Sequence, residues 1–169
     1  MLQLISLVMV IYSYFLIQTT IPKLPPRIPT HYNAAGMADA WGSPDMLWTL
    51  LLAQAATCGV FLLVPYLGQR FPGTVHLGRR RLSDFSPDQR ERILPLLNDM
   101  AGWLGIVMNL FFVFMLRQVI QQATAFIPHL QAPLPLALSV GGTVIVTVYY
   151  LRKITKVAKE ALENPRDRQ

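Results

Sequence analysis

Residues 27–45 read RIPTHYNAAGMADAWGSPD, a polar segment between two long apolar runs at residues 2–21 and 46–67. Two further apolar runs follow at residues 95–116 and 134–151. A helix needs about 20 apolar residues to cross the hydrocarbon core of a bilayer, and all four runs are near that length. The sequence therefore predicts four membrane spans, with the polar segment joining the first two.

The composition agrees with a membrane protein. Of the 169 residues, 53% are hydrophobic and 14% are charged, whereas a soluble domain carries about 25% charged residues. The first run lacks a preceding basic region and a small-residue cleavage site, so we expect a retained helix and not a signal peptide. The predicted fold is all-α, one membrane domain over residues 1–169. It is a four-helix bundle with an ordered extracytoplasmic loop at residues 22–44 and helices at about residues 2–21, 44–67, 95–122 and 134–158.

The distribution of basic residues predicts the orientation of the chain. Six of the 15 lysines and arginines lie between the second and third runs, and six follow the fourth run. The other three are Lys23, Arg27 and Arg117. Because basic residues flanking membrane spans mark the cytoplasmic side, we expect both termini in the cytoplasm. Basic clusters also contact anionic lipid or a partner; no nucleic-acid partner is expected.

Local signals refine the helix boundaries. The tripeptide Ser-Pro-Asp occurs at residues 43–45 and 86–88, and it suits a helix start because serine caps free N–H groups and proline fits the first helical position. We therefore predict helix starts at about Pro44 and Pro87. Pro95 is expected to kink the second of these helices or to restart it, since proline removes a helix hydrogen bond.

Small residues four positions apart predict where the helices pack. In membranes such residues let two helix backbones approach closely. The predicted buried faces therefore carry Ala55 with Gly59, Ala101 with Gly105, and Ser139 with Thr143 beside Gly142. A partner subunit is the alternative neighbour for these faces. The single cysteine, Cys58, is expected to be a packing residue.

The polar segment has its own local signals. Four prolines at residues 22, 25, 26 and 29 disfavour helix and predict an extended, polyproline-like chain. Gly36 suits a left-handed turn position, and Asn33 can bond its own backbone in that turn. Trp41 and Trp48 are placed to lie at the outer membrane interface.

Residues 24–47, LPPRIPTHYNAAGMADAWGSPDML, resemble the hallmark of a bacterial membrane family known as domain of unknown function number sixteen-forty-eight. Its pattern is similar to Leu-Pro-x-x-Ile-Pro-x-His-Phe/Tyr-Asn-x-x-Gly-x-x-Asp-x-Trp-Gly-Ser-Lys, with Pro44 here in place of the lysine. The resemblance covers about residues 5–60. The candidate recognition residues are the polar, aromatic and glycine members of the motif: His31, Tyr32, Asn33, Gly36, Asp39, Trp41 and Gly42.

The resemblance carries an expectation about function. The same domain occurs in immunity proteins against the sporulation-delaying killing factor of bacilli, which protect the producing cell, and one of them relays a toxin signal to a transcriptional repressor. The resemblance therefore implies a multi-pass protein of the bacterial inner (plasma) membrane, of the immunity or signalling kind. Its expected partners are the lipid bilayer and a peptide or another membrane protein.

Three interpretations of the motif stay open. In the first, the segment is a folded connector in which His31 and Asp39 bond backbone groups and Trp41 holds the loop at the bilayer surface, because irregular backbone near lipid must satisfy its hydrogen bonds locally. In the second, it is a recognition surface. In the third, it is a metal or hydrolytic site with His31, Asn33 and Asp39, joined by Asp45 or His129, since zinc takes three or four such ligands.

The favoured function is a non-enzymatic interaction protein without cofactor or metal. The chain has no His-Glu-x-x-His, Gly-x-Ser-x-Gly or phosphate-loop motif, which are the usual signatures of zinc peptidases, hydrolases and nucleotide-binding enzymes. The alternative is an accessory structural subunit of a larger membrane complex. A membrane enzyme or metal site using His31 and Asp39 is the third hypothesis.

Overall fold

The computed structural model of the protein describes residues 1–33, 35, 37–125 and 133–163. These residues are mostly helical. The four α-helices are α1, Leu2–Thr20; α2, Met46–Arg70; α3, Pro87–Ala125; and α4, Pro133–Glu163. A 3₁₀ turn at Ile21–Lys23 follows α1 directly. The four predicted helices are therefore present, and the main difference is that α3 begins well before residue 95.

Helix α3 joins two predicted elements into one helix of 39 residues. It begins at Pro87, as predicted, and its first turn is capped reciprocally. The Gln89 N–H donates to Ser86 Oγ at 3.3 Å, and the Ser86 N–H donates to Gln89 Oε1 at 3.0 Å, which is a capping box. Pro95 lies inside the helix without interrupting it. The carbonyl that it leaves without a helix donor belongs to Glu91, an exposed residue.

The prediction that α2 begins at Pro44 is wrong by two residues. Ser43 Oγ accepts the Asp45 N–H at 3.2 Å and donates to Asp45 Oδ2 at 2.8 Å. These two side chains therefore bond each other and do not cap the helix. The first N–H groups of the helix, those of Met46 and Leu47, instead donate to the backbone carbonyls of Ser43 and Pro44 at 3.2 and 3.0 Å. The Ser-Pro-Asp tripeptide forms a turn here, and the helix starts after it, at Met46.

The connection between α1 and α2 contains a hairpin that the sequence analysis did not predict. Strand β1, Ile28–Tyr32, pairs antiparallel with strand β2, Ala38–Gly42. The segment is extended, as expected, but it is paired and not polyproline-like. The exclusion of helix is also wrong at Ile21–Lys23, where Pro22 stands in the first 3₁₀ turn, a position at which proline loses no hydrogen bond.

A second, shorter hairpin lies between α2 and α3. Strand β3, His76–Leu77, pairs antiparallel with strand β4, Arg80–Arg81. The chain reverses at Gly78, whose φ of 67° lies in the left-handed region that favours glycine. The exposed arginines at positions 79–81 thus sit at the tip of this connection.

Helix α3 packs against each of the other three helices, and α1 also packs against α2. The Ala101–Gly105 face is at this contact, as predicted. A Cβ at Gly105 would lie 3.2 Å from Phe61 Cβ and 3.3 Å from Ser6 Oγ. Gly142 of α4 meets α3 in the same way, because a Cβ there would lie 3.3 Å from Val107.

The predicted face of α2 is wrong. A Cβ at Gly59 would meet nothing within 4 Å, and the buried side chains on this part of the helix are Gln54 and Cys58. The burial of Cys58 agrees with its predicted role in packing. Ala55 and Gly59 follow these residues by one position each, which turns them about 100° away from the contact with α3.

Four polar side chains are buried where α1, α2 and α3 meet. They are Ser6, Ser13, Gln54 and Asn109, each at most 3% exposed. The Asn109 amide donates to the Gly105 carbonyl at 2.9 Å. Among the described residues, one side-chain atom of each of these four groups has no hydrogen-bond partner. The helix contact is therefore partly polar, a property that the apolar runs did not indicate.

Within the described part of the chain, three helices are long and apolar enough to cross a membrane: Leu2–Lys23, Met46–Arg70 and Pro87–Ala125. They indicate a multi-pass membrane protein, because a helix of about 20 apolar residues spans the hydrocarbon core. Helix α4 is not among these three. The fourth span at residues 134–151 thus stays a prediction.

Candidate functional site

The candidate recognition residues lie on the β1–β2 hairpin and its turn. Pro29 stands opposite Trp41, His31 opposite Ala40, and Tyr32 opposite Ala38. The register shifts on both sides of His31. Irregularities of this kind twist a strand and re-aim its side chains, so the hairpin presents its polar residues at angles that a regular pair of strands would not.

Asn33 builds the turn between the strands. Its Oδ1 accepts the N–H groups of Ala35 and Met37, each at 3.0 Å, and its own N–H donates to the Met37 carbonyl at 2.8 Å. The prediction that Asn33 bonds backbone groups in this turn is confirmed. The predicted left-handed position, Gly36, lies outside the described residues.

The glycine at position 42 is explained by a close contact between the two strands. A Cβ at this position would lie 2.8 Å from Cγ2 of Thr30 on the facing strand, and real Cβ atoms do not approach other carbons that closely. Any side chain at position 42 would therefore have to displace the Thr30 side chain. Gly42 serves the folding of the hairpin.

Tyr32 ties the hairpin to α3. Its hydroxyl donates to Oε1 of Gln122, which is buried. Burial raises the pKa of the Tyr32 phenol above its usual value, because ionisation away from water is costly. The phenol therefore stays protonated, as a hydrogen-bond donor, across the physiological range. The hairpin contributes a second anchor, Ile28, which has no exposed surface and packs in the same apolar cluster as Ile17 and Leu116.

The role of Gln122 was not predicted from the sequence. This residue is 4% exposed. The spacing of Gln122 from apolar residues of α3 could have indicated that it is buried. Gln122 follows Val119 by three residues and Leu116 by six, and all three lie on the helix face that meets the hairpin end of the molecule.

His31 and Asp39 bond each other. Nδ1 of His31 lies 2.5 Å from Oδ1 of Asp39. The connector hypothesis assigned both side chains to backbone groups, and the structure instead pairs them across the two strands. The side chains are 68% and 43% exposed, respectively, so the pair lies at the surface of the hairpin.

Two large side chains flank this pair. Met37 and Trp41 are 45% and 53% exposed. Asp39 and Trp41 are two residues apart in β2, which places their side chains on one face of the strand, and Met37 immediately precedes β2. We call His31, Met37, Asp39 and Trp41 the hairpin face. Trp48 is different, because it is partly buried against an apolar cluster, with its ring centroid 5.7 Å from that of Tyr14.

The structure supplies two of the ligands that the metal hypothesis needs. His31 and Asp39 come together, but Asp45 is bonded to Ser43, and Asn33 is engaged in the turn. His129 lies outside the described residues. Within the residues that the structure describes, no three histidine, cysteine, aspartate or glutamate side chains are close enough to hold a metal ion.

Together, these features define a multi-pass membrane protein whose first two helices are joined by a docked, polar hairpin. Residues 2–57 match the family described as Domain of unknown function (DUF1648). The match covers α1, the hairpin and the first half of α2, about one third of the chain, and it supports the resemblance that the motif predicted. No curated protein and no solved structure matches the chain.

Proposed function

We propose that this protein is a non-enzymatic protein of the bacterial inner membrane that recognises a peptide or protein at its hairpin face and acts in immunity or signalling. The observation that carries the proposal is the exposed His31–Asp39 pair, with Met37 and Trp41 beside it. The match of residues 2–57 to the domain family supports it.

The motif residues divide into two groups. Tyr32, Asn33 and Gly42 are each accounted for by a contact that folds or docks the hairpin. His31 and Asp39 are not, because an exposed side-chain pair of this kind contributes only about 0–1 kcal/mol to stability. A half-exposed Trp41 adds little to a core. The second group is therefore available for recognition, which favours that interpretation over a folded connector.

The chemistry of the hairpin face suggests the kind of partner. Trp41 and Met37 offer large apolar contacts, and residues of these types often anchor binding partners. Asp39 supplies a carboxylate that can accept hydrogen bonds from a basic side chain. A membrane-active peptide with both apolar and basic residues fits these properties. It would meet the hairpin at the membrane surface.

The proposed arrangement is a bundle of four membrane helices with both termini in the cytoplasm and the hairpin as an ordered extracytoplasmic loop. The split of basic residues supports it. Helix α4 also supports it, because several of its large apolar side chains are exposed, among them Leu138, Val144 and Ile145. Residues 134–151 contain no charged side chain, so this surface suits lipid.

Cysteine labelling tests the arrangement. In a Cys58→Ser background, Asp39→Cys should react with an impermeant thiol reagent added to intact spheroplasts. Arg80→Cys and Thr155→Cys should react only after permeabilisation. All three positions are exposed, so accessibility reports the side of the membrane. Labelling of residue 39 only after permeabilisation, or of residue 155 from outside, would refute the orientation or the number of spans.

The recognition function is tested by comparing two aspartates of the same connection. Cells that produce the protein and are challenged with a cationic, membrane-active peptide should lose protection on Asp39→Asn, while the stability of the purified protein changes by less than about 1 kcal/mol. Asp45→Asn is the matched control, because Asp45 bonds Ser43 at the start of α2 and lies off the hairpin face. Equal protection by both variants, or no protection by the unaltered protein, would argue against recognition at this face.

An accessory structural subunit is the second candidate. The observation that favours it is the open face of α2, where Gly59 meets no side chain, since small residues on an unpacked face let another helix approach. This function predicts a fixed partner that co-purifies in mild detergent. The Gly59→Leu variant should lose that partner, whereas Asp39→Asn should retain it.

A further inference from the structure

We propose that the outward side of α4 binds an anionic phospholipid, with the phosphate held by three basic side chains and an acyl chain lying along the apolar residues before them. We call this surface the lipid face; it comprises Val144, Ile145, Val148, Tyr149, Arg152, Lys153 and Lys156. The inference rests on the proposed insertion of α4 in the bilayer.

The packing of α4 fixes which side of the helix faces outward. Tyr150, Ile154 and Ala158 are buried at intervals of four residues, and they pack against the start of α3 and the short connection before it. The seven residues of the lipid face are all exposed. At about 100° per residue they fall within one half of the helix, on the side opposite these buried residues.

The lipid face changes character along the helix. Val144, Ile145 and Val148 are 54%, 70% and 42% exposed, respectively. The basic residues follow within the next two turns. From Val144 to Lys156 the rise is about 18 Å at about 1.5 Å per residue, so one phospholipid can contact both parts. Its acyl chain would cover the apolar part while its phosphate reached the basic part.

The basic part is suited to a phosphate. The guanidinium of Arg152 can bond two phosphate oxygens at once. The Lys153 ammonium lies 5.8 Å from the centre of the Tyr149 ring, a contact that holds it at the surface of the helix. Within the described residues, Glu160 pairs with Lys156 at 3.9 Å. This exposed pair offsets one of the three charges, and the remaining charge is positive.

Other ligands use only one part of this surface. A soluble polyanion would contact the basic residues and leave the apolar ones in water. A neutral phospholipid would cover the apolar residues, but its headgroup carries no net negative charge for the basic ones. An anionic phospholipid satisfies both, and near a membrane surface each basic residue favours anionic lipid by a measurable amount.

The test compares two variants that each remove three positive charges. Detergent-solubilised protein is mixed with phosphatidylglycerol and phosphatidylcholine, and the lipids that stay bound are counted by native mass spectrometry. The unaltered protein should prefer phosphatidylglycerol by about thirtyfold, the scale expected for a net two positive charges near a headgroup at about 1 kcal/mol each. The triple variant Arg152→Gln, Lys153→Gln, Lys156→Gln should lose that preference. The matched control Arg79→Gln, Arg80→Gln, Arg81→Gln should keep it.

Several outcomes would overturn the proposal. An equal loss of preference in both triple variants would show a general charge effect. An unchanged preference in the triple variant of α4 would show that these three residues do not bind the lipid. Displacement of the lipid by millimolar inorganic phosphate would show that the acyl chain contributes nothing. Arg152→Lys keeps the charge and should retain most of the binding. Because binding is measured in detergent, a failure here is distinct from a failure of the cysteine labelling, which tests the insertion of α4.

Discussion

Replacing Gly105 with leucine is expected to destabilise the protein by about 3 kcal/mol, the upper part of the range for overpacking a tight contact. A Cβ at this position would already lie 3.2 Å from Phe61 Cβ and 3.3 Å from Ser6 Oγ, and three more carbons have no room between the helices. The side chain must therefore force α1 and α2 away from α3. The measurement is unfolding of the purified protein in a mixed micelle titrated with dodecyl sulfate, followed by circular dichroism.

Gly59→Leu provides the control for this experiment. It makes the same chemical change in another apolar helix, at a position where an added Cβ meets nothing within 4 Å. Both variants exchange glycine for a strong helix former, which favours a helix by about the same amount. The difference between them therefore isolates the helix contact. Equal stability of the two variants would show that α1, α2 and α3 do not pack as the structure has them.

The sequence was informative where the determinant of structure is local. Long apolar runs predicted all four helices, since hydrophobicity acts residue by residue and needs no knowledge of neighbours. The start of α3 followed from the tripeptide at residues 86–88, in which Ser86 caps the Gln89 N–H, and the turn followed from Asn33. Each of these interactions spans at most four residues, so the sequence pattern contains it.

The sequence was uninformative where the determinant is a contact between distant residues. The Tyr32–Gln122 hydrogen bond joins positions 90 residues apart. The residues around Tyr32 and Gln122 do not indicate that the two side chains are partners. The His31–Asp39 pair needed knowledge of strand pairing, and the four prolines had suggested an unpaired chain. The predicted packing face of α2 contained Gly59, whereas the buried residue is its neighbour Cys58. The pattern of small residues does not indicate which side of the helix meets α3.

Replacing Ile28 with alanine is expected to cost about 2–5 kcal/mol, the range for large-to-small changes in a packed core. Ile28 has no exposed surface, and its side chain packs with Ile17 of α1, Leu47 of α2 and Leu116 of α3. Truncation leaves a cavity at the point where the hairpin meets three helices. The same dodecyl sulfate titration measures the loss, and Ile28→Val should show a smaller loss, of about 1 kcal/mol.

The consequences of Ile28→Ala should extend to the hairpin face. Once Ile28 no longer fills its site, the hairpin retains the buried Pro29 and the Tyr32 hydrogen bond, and one hydrogen bond contributes only about 0.5–1.5 kcal/mol. We therefore expect the variant to lose protection against the peptide as well as stability, whereas Asp39→Asn loses protection alone. Met37→Ala, an equally large truncation at an exposed site of the same hairpin, should leave stability unchanged. If Met37→Ala were as destabilising as Ile28→Ala, the hairpin would not be anchored through Ile28, and the exposed side of the hairpin would have to be reassigned.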